Sequence, residues 1–280
     1  MMLLPLQMAL VSSCLMGIFR GDHLVFGAPS PPTDNSSSSK FTLDLALGSF
    51  DDQYKGCESQ MEEKVGQLQQ AEFASNNLYA QAWKAAAAAW REKAASASVP
   101  KGLKPEYATA IVAYTGERLY RDFNVAIRTA GRSKEEYLSQ FRFKAFHFLL
   151  TRALQVLLPT NPNKSRCYQV YRGVNNKFTF RAVLAQAIRF GQFTSSTLKK
   201  EVAQSFGQAG RKTIFRITTC LGVYVKQFSY FPEEEEVLIP PYERFAFVSS
   251  KEEGDTTWIQ LRSEGEFSHY NCEYVKGSKP

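Results

Sequence analysis

The segment YFPEEEEVLIPP, residues Tyr230–Pro241, joins four consecutive glutamates to a short apolar run. Its apolar run, Val237–Ile239, has the composition of a buried strand, and two prolines end that strand. Because side chains alternate along an extended segment, we expect Glu234 and Glu236 to share one side of it. A carboxylate held so close to a core has a raised pKa, which is typical of functional sites. The alternative is a solvated acidic loop that merely precedes a strand.

Length and composition predict a folded protein with a substantial core. The chain has 280 residues, of which 44% are hydrophobic and 13% aromatic, and its net charge is +7. Aromatic residues at this frequency argue against disorder. The lysines and arginines are scattered, which gives no support for a nucleic-acid partner. We expect residues 41–280 to form a single domain and the protein to be a monomer.

The N-terminal segment is predicted to direct export. Residues 1–28 contain a short apolar run followed by small residues, as in a secretory signal peptide, although no basic residue precedes that run. The alternative is a disordered cytosolic N-terminus. Residues 29–40 are rich in Ser, Pro and Asn and predict a flexible linker. No apolar tail follows Cys272, so the sequence predicts a secreted, extracellular protein without a lipid anchor.

The cysteines outside the predicted leader favour an oxidised protein. They are Cys57, Cys167, Cys220 and Cys272. Their spacing does not suit a metal site, and an even number in an exported chain predicts two disulfides with three possible connectivities. Asn35 and Asn163 each begin an acceptor sequence for N-glycosylation. We therefore predict a disulfide-bonded glycoprotein without a metal.

The hydrophobic period is helical in the first half of the chain and mostly strand-like in the second. Predicted helices include Lys104–Tyr114, Glu117–Ala130, one that Ser133 caps and that ends before Pro159, and Phe178–Phe190. Predicted strands include Cys167–Val174, Gln192–Thr197 and Glu235–Ile239. Helices and strands segregated in this way are typical of an α+β fold.

Two further features accompany the acidic stretch. Arg172 ends an apolar strand and precedes Gly173, so its guanidinium lies beside backbone that a phosphate can approach closely. The alternative is an arginine paired with a surface carboxylate. Phe193–Leu198 places hydroxyls, including that of Ser195, on a strand, where they bind sugar oxygens or satisfy the strand end. The ordered set of arginine, serine and Glu-x-Glu is more specific than any one part.

In these motifs the sequence resembles the vertebrate arginine-specific mono-ADP-ribosyltransferases, ecto-enzymes with an Arg–Ser–Glu-x-Glu signature. The resemblance spans roughly Phe41 to Tyr274 and includes the segment Asn76–Trp83 and the four cysteines. It implies a helical N-terminal part packed on two crossed, mostly antiparallel β-sheets, with the substrate NAD or NADP in the cleft between them. It implies no metal and no permanently bound cofactor. It also implies the disulfides Cys57–Cys272 and Cys167–Cys220.

The resemblance implies that ADP-ribose passes from NAD to the guanidinium of arginine, with release of nicotinamide. Glu236 would bind the ribose 2′-hydroxyl and stabilise the positive charge that develops on the ribose. Glu234 would orient the acceptor guanidinium and accept its proton. Arg172 and Gly173 would bind the phosphates of NAD, and Ser195 would position the ribose and Glu236.

Weaker roles follow from the same resemblance. Phe206 would stack on nicotinamide, although an aromatic residue there also suits a core. Tyr230 and Phe231 would lie on the loop that meets the target protein.

Two other functions fit parts of this pattern. In a secreted NAD glycohydrolase, water would replace the acceptor, but hydrolysis needs no group such as Glu234 to bind a guanidinium. A non-catalytic binding domain would keep the fold but would not need the motif residues Arg172, Ser195, Glu234 and Glu236. Product analysis with and without agmatine separates transfer from hydrolysis. Calorimetry that shows no NAD binding would favour the non-catalytic domain.

Overall fold

The computed structural model describes residues 39–95, 98–158, 167–175, 178–182, 187–205 and 211–277. Within these residues helices occupy the first half and strands most of the second, so the α+β prediction is confirmed. The predicted leader, most of the predicted linker, and Asn35, Asn163 and Phe206 lie outside the described residues.

The helices of the described chain have the following bounds. They are α1 (Glu58–Ser75), α2 (Asn77–Ala94), α3 (Pro105–Thr115), α4 (Leu119–Ala130), α5 (Lys134–Gln140), α6 (Lys144–Leu157), α7 (Lys200–Ser205) and α8 (Glu273–Gly277).

The helix predicted from Ser133 to Pro159 is in fact two helices, α5 and α6. Ser133 caps α5 as expected, since its Oγ accepts a hydrogen bond from the Glu136 amide at 3.1 Å. The second helix has its own cap, the buried carboxylate of Glu72 from α1. Glu72 accepts hydrogen bonds from the amides of Lys144 at 2.6 Å and Ala145 at 3.1 Å. A side chain some seventy residues away therefore sets this helix start, which the local sequence does not show.

The strands of the described chain have the following bounds. They are β1 (Ser39–Leu43), β2 (Tyr168–Asn175), β3 (Phe178–Ala182), β4 (Ala187–Ile188), β5 (Thr194–Thr197), β6 (Lys212–Thr219), β7 (Val223–Tyr224), β8 (Glu236–Ile239), β9 (Glu243–Glu253) and β10 (Thr256–Glu266).

The prediction of a helix over Phe178–Phe190 is wrong. Strands β3 and β4 lie in this segment, and β3 runs parallel to β1 with Ser39 opposite Phe178. The backbone of β3 thus pairs with chain more than a hundred residues earlier, and that of β4 pairs with β9, later in the chain. These pairings satisfy the same amides that a helix would have satisfied locally.

Eight strands form one sheet in the order β4-β9-β10-β6-β2-β5-β8-β7. Strands β10 and β6 are parallel, and the other neighbours in this sheet are antiparallel. Strands β2 and β5 are joined by a single registered pair, Tyr171 and Thr197. The sheet therefore consists of a larger part that ends at β2 and a smaller part that begins at β5. These two parts correspond to the two sheets that the resemblance implies.

Strand β8 lies between two hydrophobic cores. All four of its residues are buried. Leu238 belongs to the core that is built mainly from the helices, whereas Val237 and Ile239 belong to the core of the sheet. Alternate side chains of one short strand therefore contact both layers of the protein. This packing fixes the position of Glu236, the first residue of β8.

The two ends of the described chain are tied together. A disulfide joins Cys57 to Cys272, and the buried carboxylate of Asp52 accepts hydrogen bonds from the amides of Cys272 and Glu273, each at 2.9 Å. A second disulfide joins Cys167 to Cys220. These are the two pairs that the resemblance implies.

Two features are absent from the residues that the structure describes. None of the helices in this part of the chain is long and apolar enough to cross a membrane. The same residues contain no group of three or more His, Cys, Asp or Glu side chains that is able to hold a metal ion.

Candidate active site

The acidic stretch does not continue the extended path of β8. Pro232–Glu234 form one turn of 3-10 helix, and Glu235 adopts the left-handed conformation with φ 50° and ψ 51°. Strand β8 begins only at Glu236. The prediction of a strand that starts at Glu235, with alternating carboxylates before it, is therefore wrong. The carboxylate of Glu235 points away to Tyr224 and Lys226, while Glu234 lies near enough to Glu236 to feel its charge.

Glu236 is a buried carboxylate, with 5% of its surface exposed. The Oγ of Ser229 donates a hydrogen bond to its Oε2 at 3.4 Å. Burial raises the pKa of Glu236, and hydrogen bonds from Ser195 and Ser229 and the positive charge of Arg172 oppose that effect. Three of the residues predicted from the sequence, Arg172, Ser195 and Glu236, thus lie together at one place.

Glu234 is half-buried and has a different environment. Burial, followed by the charges of Glu236 and Glu233, raises the pKa of Glu234 to about 7. Its charge therefore changes close to neutral pH. A cation placed next to Glu234 would favour the ionised carboxylate.

Arg172 lies within β2, opposite Phe215 of β6, rather than at the end of the strand as the sequence suggests. Its side chain is buried, and burial lowers the pKa of the guanidinium to about 10. Nη1 donates a hydrogen bond to the carbonyl oxygen of Ser195, but Nε and Nη2 have no hydrogen-bond partner among the described residues. A buried donor without an acceptor costs about 1–3 kcal/mol. An anionic ligand with oxygen acceptors would recover that free energy. Gly173 follows in the same strand, opposite Ile214.

Strand β5 carries Ser195 opposite Leu238 and also supports the acidic stretch. The Oγ1 of Thr197 donates to the carbonyl oxygen of Glu234 at 2.5 Å. The amide of Leu198 donates to the carbonyl oxygen of Glu235 at 3.1 Å. The hydroxyl of the last residue of β5 and the amide of the residue after it therefore hold the backbone of the acidic stretch in place.

Sequence reasoning missed a tyrosine that lies beside this site. The hydroxyl of Tyr114, on α3, donates to the carbonyl oxygen of Phe193 at 2.7 Å, and Asn124 of α4 donates to that hydroxyl at 3.1 Å. Arg172 and Glu236 are close enough to influence the pKa of Tyr114. Tyr114 occurs in an apolar helical segment, so no local signal marks it. Ser229, which bonds Glu236, was also missed, because a single serine between β7 and the acidic stretch carries no local signal.

The loop before the acids is partly exposed. Tyr230 has 37% of its surface exposed, and its amide donates to Thr115 Oγ1 at 3.3 Å. Phe231 is half-buried, and its amide donates to Ser229 Oγ at 3.0 Å. This loop, which precedes Glu234 in the chain, places an aromatic side chain at the surface.

Comparison with known protein families supports the assignment that these residues suggest. The family model for NAD:arginine ADP-ribosyltransferases matches residues 43–269. The chain is 46% identical over 235 residues to the erythroblast NAD(P)(+)--arginine ADP-ribosyltransferase of Gallus gallus, covering 84% of this chain and 76% of that protein. It is 43% identical to the GPI-linked NAD(P)(+)--arginine ADP-ribosyltransferase 1 of Homo sapiens, covering 86% of this chain and 77% of that protein.

Solved structures give the same result. A mutant of the eukaryotic mono-ADP-ribosyltransferase ART2.2 in complex with NADH matches with a TM-score of 0.72 and 44% identity, covering 84% of this chain and 99% of that chain. Exoenzyme S from Pseudomonas aeruginosa, at 18% identity and a TM-score of 0.52, shares the fold.

The relatives also correct one prediction. Those from human, mouse and rabbit are named GPI-linked, so the prediction of a secreted protein without a lipid anchor is wrong. An extracellular location agrees with these relatives and with the rat ecto-ADP-ribosyltransferase 5. The extent of the family match and the identity to these relatives lead to one assignment. This chain belongs to the NAD:arginine ADP-ribosyltransferase family.

Proposed function

We propose that this protein transfers ADP-ribose from NAD to the guanidinium of arginine, in proteins or in small guanidines, and releases nicotinamide. NAD is a substrate and is consumed. The observation that carries the proposal is the meeting of Arg172, Ser195 and Glu236 at the buried start of β8, with Glu234 beside them.

The first step is cleavage of the bond between nicotinamide and the ribose C1′. The bonding electron pair leaves with the nicotinamide nitrogen, and positive charge develops on the ribose. Glu236 accepts a hydrogen bond from the ribose 2′-hydroxyl and stabilises that charge from a buried position, where electrostatic interactions are strong. Ser195, which bonds Glu236, keeps the carboxylate oriented toward the ribose.

Arg172 and Gly173 hold the phosphates of NAD. Nε and Nη2 of Arg172 have no hydrogen-bond partner among the described residues, and phosphate oxygens would bind these two donors. A guanidinium held rigidly by burial presents its donors in a fixed geometry, and it fixes the distance between the phosphates and the reacting ribose.

The second step is attack by the acceptor. A guanidinium nitrogen forms a bond to C1′ on the ribose, and the proton that it loses passes to Glu234. Because a new glycosidic bond replaces the old one, the reaction is a glycosyl transfer. Tyr230 and Phe231, on the loop that precedes Glu234, meet the target protein.

Variants of the two acids test this function. The purified protein is incubated with labelled NAD, with and without agmatine, and the products are separated by chromatography. We expect wild type to form ADP-ribosyl-agmatine, Glu236→Gln to lose NAD turnover, and Glu234→Gln to retain hydrolysis but lose transfer. Lys251→Met, at an exposed ion pair with Glu253, is the control. Free ADP-ribose as the only wild-type product would instead indicate a glycohydrolase.

We further infer that the protein is exported as a monomeric glycoprotein. Two disulfides suit an oxidising compartment. In this proposal residues 1–28 are a cleaved signal peptide, residues 41–280 form one catalytic domain, and Asn35 and Asn163 carry glycans. We expect a glycosidase to increase electrophoretic mobility in wild type but not after both Asn→Gln changes. Sedimentation at equilibrium should give the mass of one chain.

A further inference from the structure

Glu235, the residue between the two candidate acids, has its own set of contacts. Its carboxylate accepts hydrogen bonds from the hydroxyl of Tyr224, in β7, and from Nζ of Lys226, just after β7. Its side chain is 20% exposed, and that of Lys226 is 45% exposed. These contacts draw the carboxylate of Glu235 away from Glu234 and Glu236.

The backbone of Glu235 is the joint, that is, the single residue that connects two segments held by different contacts. On its N-terminal side is the 3-10 turn Pro232–Glu234, and on its C-terminal side is β8. Left-handed φ and ψ are unfavourable for most residues that carry a Cβ atom, glutamate among them, so tertiary contacts must hold them at Glu235. A change of φ or ψ at this joint moves the turn, and with it Glu234, relative to β8.

Glu236 does not depend on this joint in the same way. It lies in β8 opposite Thr197, and its carbonyl oxygen accepts a hydrogen bond from the amide of Val225 at 2.9 Å. Its side chain is buried beside Ser229. The sheet therefore keeps Glu236 in place even if the turn before Glu235 shifts.

We propose that Glu235, held by Tyr224 and Lys226, is a positioning residue that sets the carboxylate of Glu234 for the acceptor guanidinium. The proposal rests on the function proposed above and assigns Glu235 no contact with either substrate. It predicts that the contacts of Glu235 control transfer to the acceptor but not cleavage of NAD.

The protonation states of Glu235 and its partners agree with this role. The hydrogen bonds with Lys226 and then Tyr224 lower the pKa of Glu235, so its carboxylate is ionised and accepts from both donors. Burial and the contact with Glu235 raise the pKa of Tyr224 to about 12, so its hydroxyl keeps the proton that it donates. Without its contacts to Tyr224 and Lys226, Glu235 would be free to bring a further negative charge toward Glu234. The charges of Glu236 and Glu233 already act on Glu234.

Three variants test the positioning role. Tyr224→Phe with Lys226→Met removes both donors at nearly constant volume. Glu235→Ala removes the acceptor and leaves a residue that disfavours the left-handed conformation. Glu235→Asn also removes the long carboxylate, but asparagine adopts that conformation more readily. Lys251→Met breaks an exposed ion pair elsewhere and serves as the control.

Transfer and hydrolysis are measured in one assay with labelled NAD and a range of agmatine concentrations. For the double variant and for Glu235→Ala we expect kcat/KM for agmatine to fall about tenfold. Without the contacts of Glu235, a left-handed penalty of about 1.4 kcal/mol would lower the population of the conformation that positions Glu234 by this factor. NAD hydrolysis without agmatine should stay within about twofold of wild type, since Glu236 does not move. Glu235→Asn should retain more transfer than Glu235→Ala.

The same assay separates failure of this inference from failure of the proposed function. If wild type forms no ADP-ribosyl-agmatine, the proposed function itself is wrong. If wild type does so and the variants match it, Glu235 has no positioning role. An equal decrease of transfer and hydrolysis in the variants, with asparagine no better than alanine, would show a general structural role and would also overturn the inference.

Discussion

The raised pKa of Glu234 predicts a pH dependence for transfer that hydrolysis does not share. Burial and two neighbouring carboxylates bring this pKa to about 7, from 4.5. Glu234 is therefore about one-tenth ionised at pH 6 and about nine-tenths ionised at pH 8. In the proposed mechanism only the ionised carboxylate binds the acceptor guanidinium and takes its proton. The ratio of ADP-ribosyl-agmatine to ADP-ribose should consequently rise about tenfold between these pH values.

The ratio is the informative quantity because both products arise from the same cleavage of NAD. Any effect of pH on Glu236 changes the two products equally and cancels. The agmatine guanidinium is charged throughout this range, so its own titration adds nothing. The assay uses labelled NAD at one agmatine concentration well below its KM, so that the ratio reports the pKa that Glu234 has before the cation binds. The pH is varied from 6 to 8, and the products are separated by chromatography.

Two variants determine whether Glu234 is the titrating group. Glu234→Gln should give a low ratio that does not change with pH. Glu233→Gln removes a like charge from the exposed side of the turn, so the midpoint of the rise should move to lower pH. A wild-type ratio that is constant across this range would refute the reasoning. An unchanged rise in Glu234→Gln would assign the titration to another group.

Two further predictions concern NAD binding and stability. Arg172→Lys should raise KM for NAD about tenfold or more, because a lysine cannot replace the two guanidinium donors that are unpaired among the described residues. Steady-state kinetics measures this change. An unchanged KM would contradict the proposal that Arg172 binds the phosphates of NAD. Replacing Cys57 and Cys272 together by serine should lower the free energy of unfolding by about 5 kcal/mol, because that disulfide joins residues 215 apart; thermal denaturation against the intact protein measures it, and an unchanged Tm would show that the cross-link contributes little.

The sequence was sufficient to predict the buried strand β8 and the burial of the carboxylate at its start. Val237–Ile239 is apolar and ends at prolines, so its burial follows from composition, and the start of β8 at Glu236 places one carboxylate against the core. The left-handed joint at Glu235 was not predictable in this way. It depends on donors from Tyr224 and Leu198, and neither is adjacent to Glu235 in the sequence.

The same distinction explains the errors in the fold. Phe178–Phe190 has an apolar pattern that suits either a helix or buried strands, and pairing with Ser39–Leu43 decides for strands. The two helices after Ser133 read as one because the residue that caps the second, Glu72, lies on α1. Local patterns were thus sufficient where burial alone selects the structure. They failed where a distant partner supplies the hydrogen bonds.

The environments of the two acids also explain why a cationic acceptor competes with water. Burial raises the pKa of Glu236, but hydrogen bonds from two serines and the positive charge of Arg172 favour its ionised form. For Glu234, burial and then the charges of Glu236 and Glu233 all oppose ionisation. A guanidinium that binds beside Glu234 offsets this repulsion and restores the negative charge that its own deprotonation requires. Water brings no charge and gains nothing from the same carboxylates. The repulsion within the acidic stretch therefore favours arginine as acceptor, which is the selectivity that the agmatine assay measures.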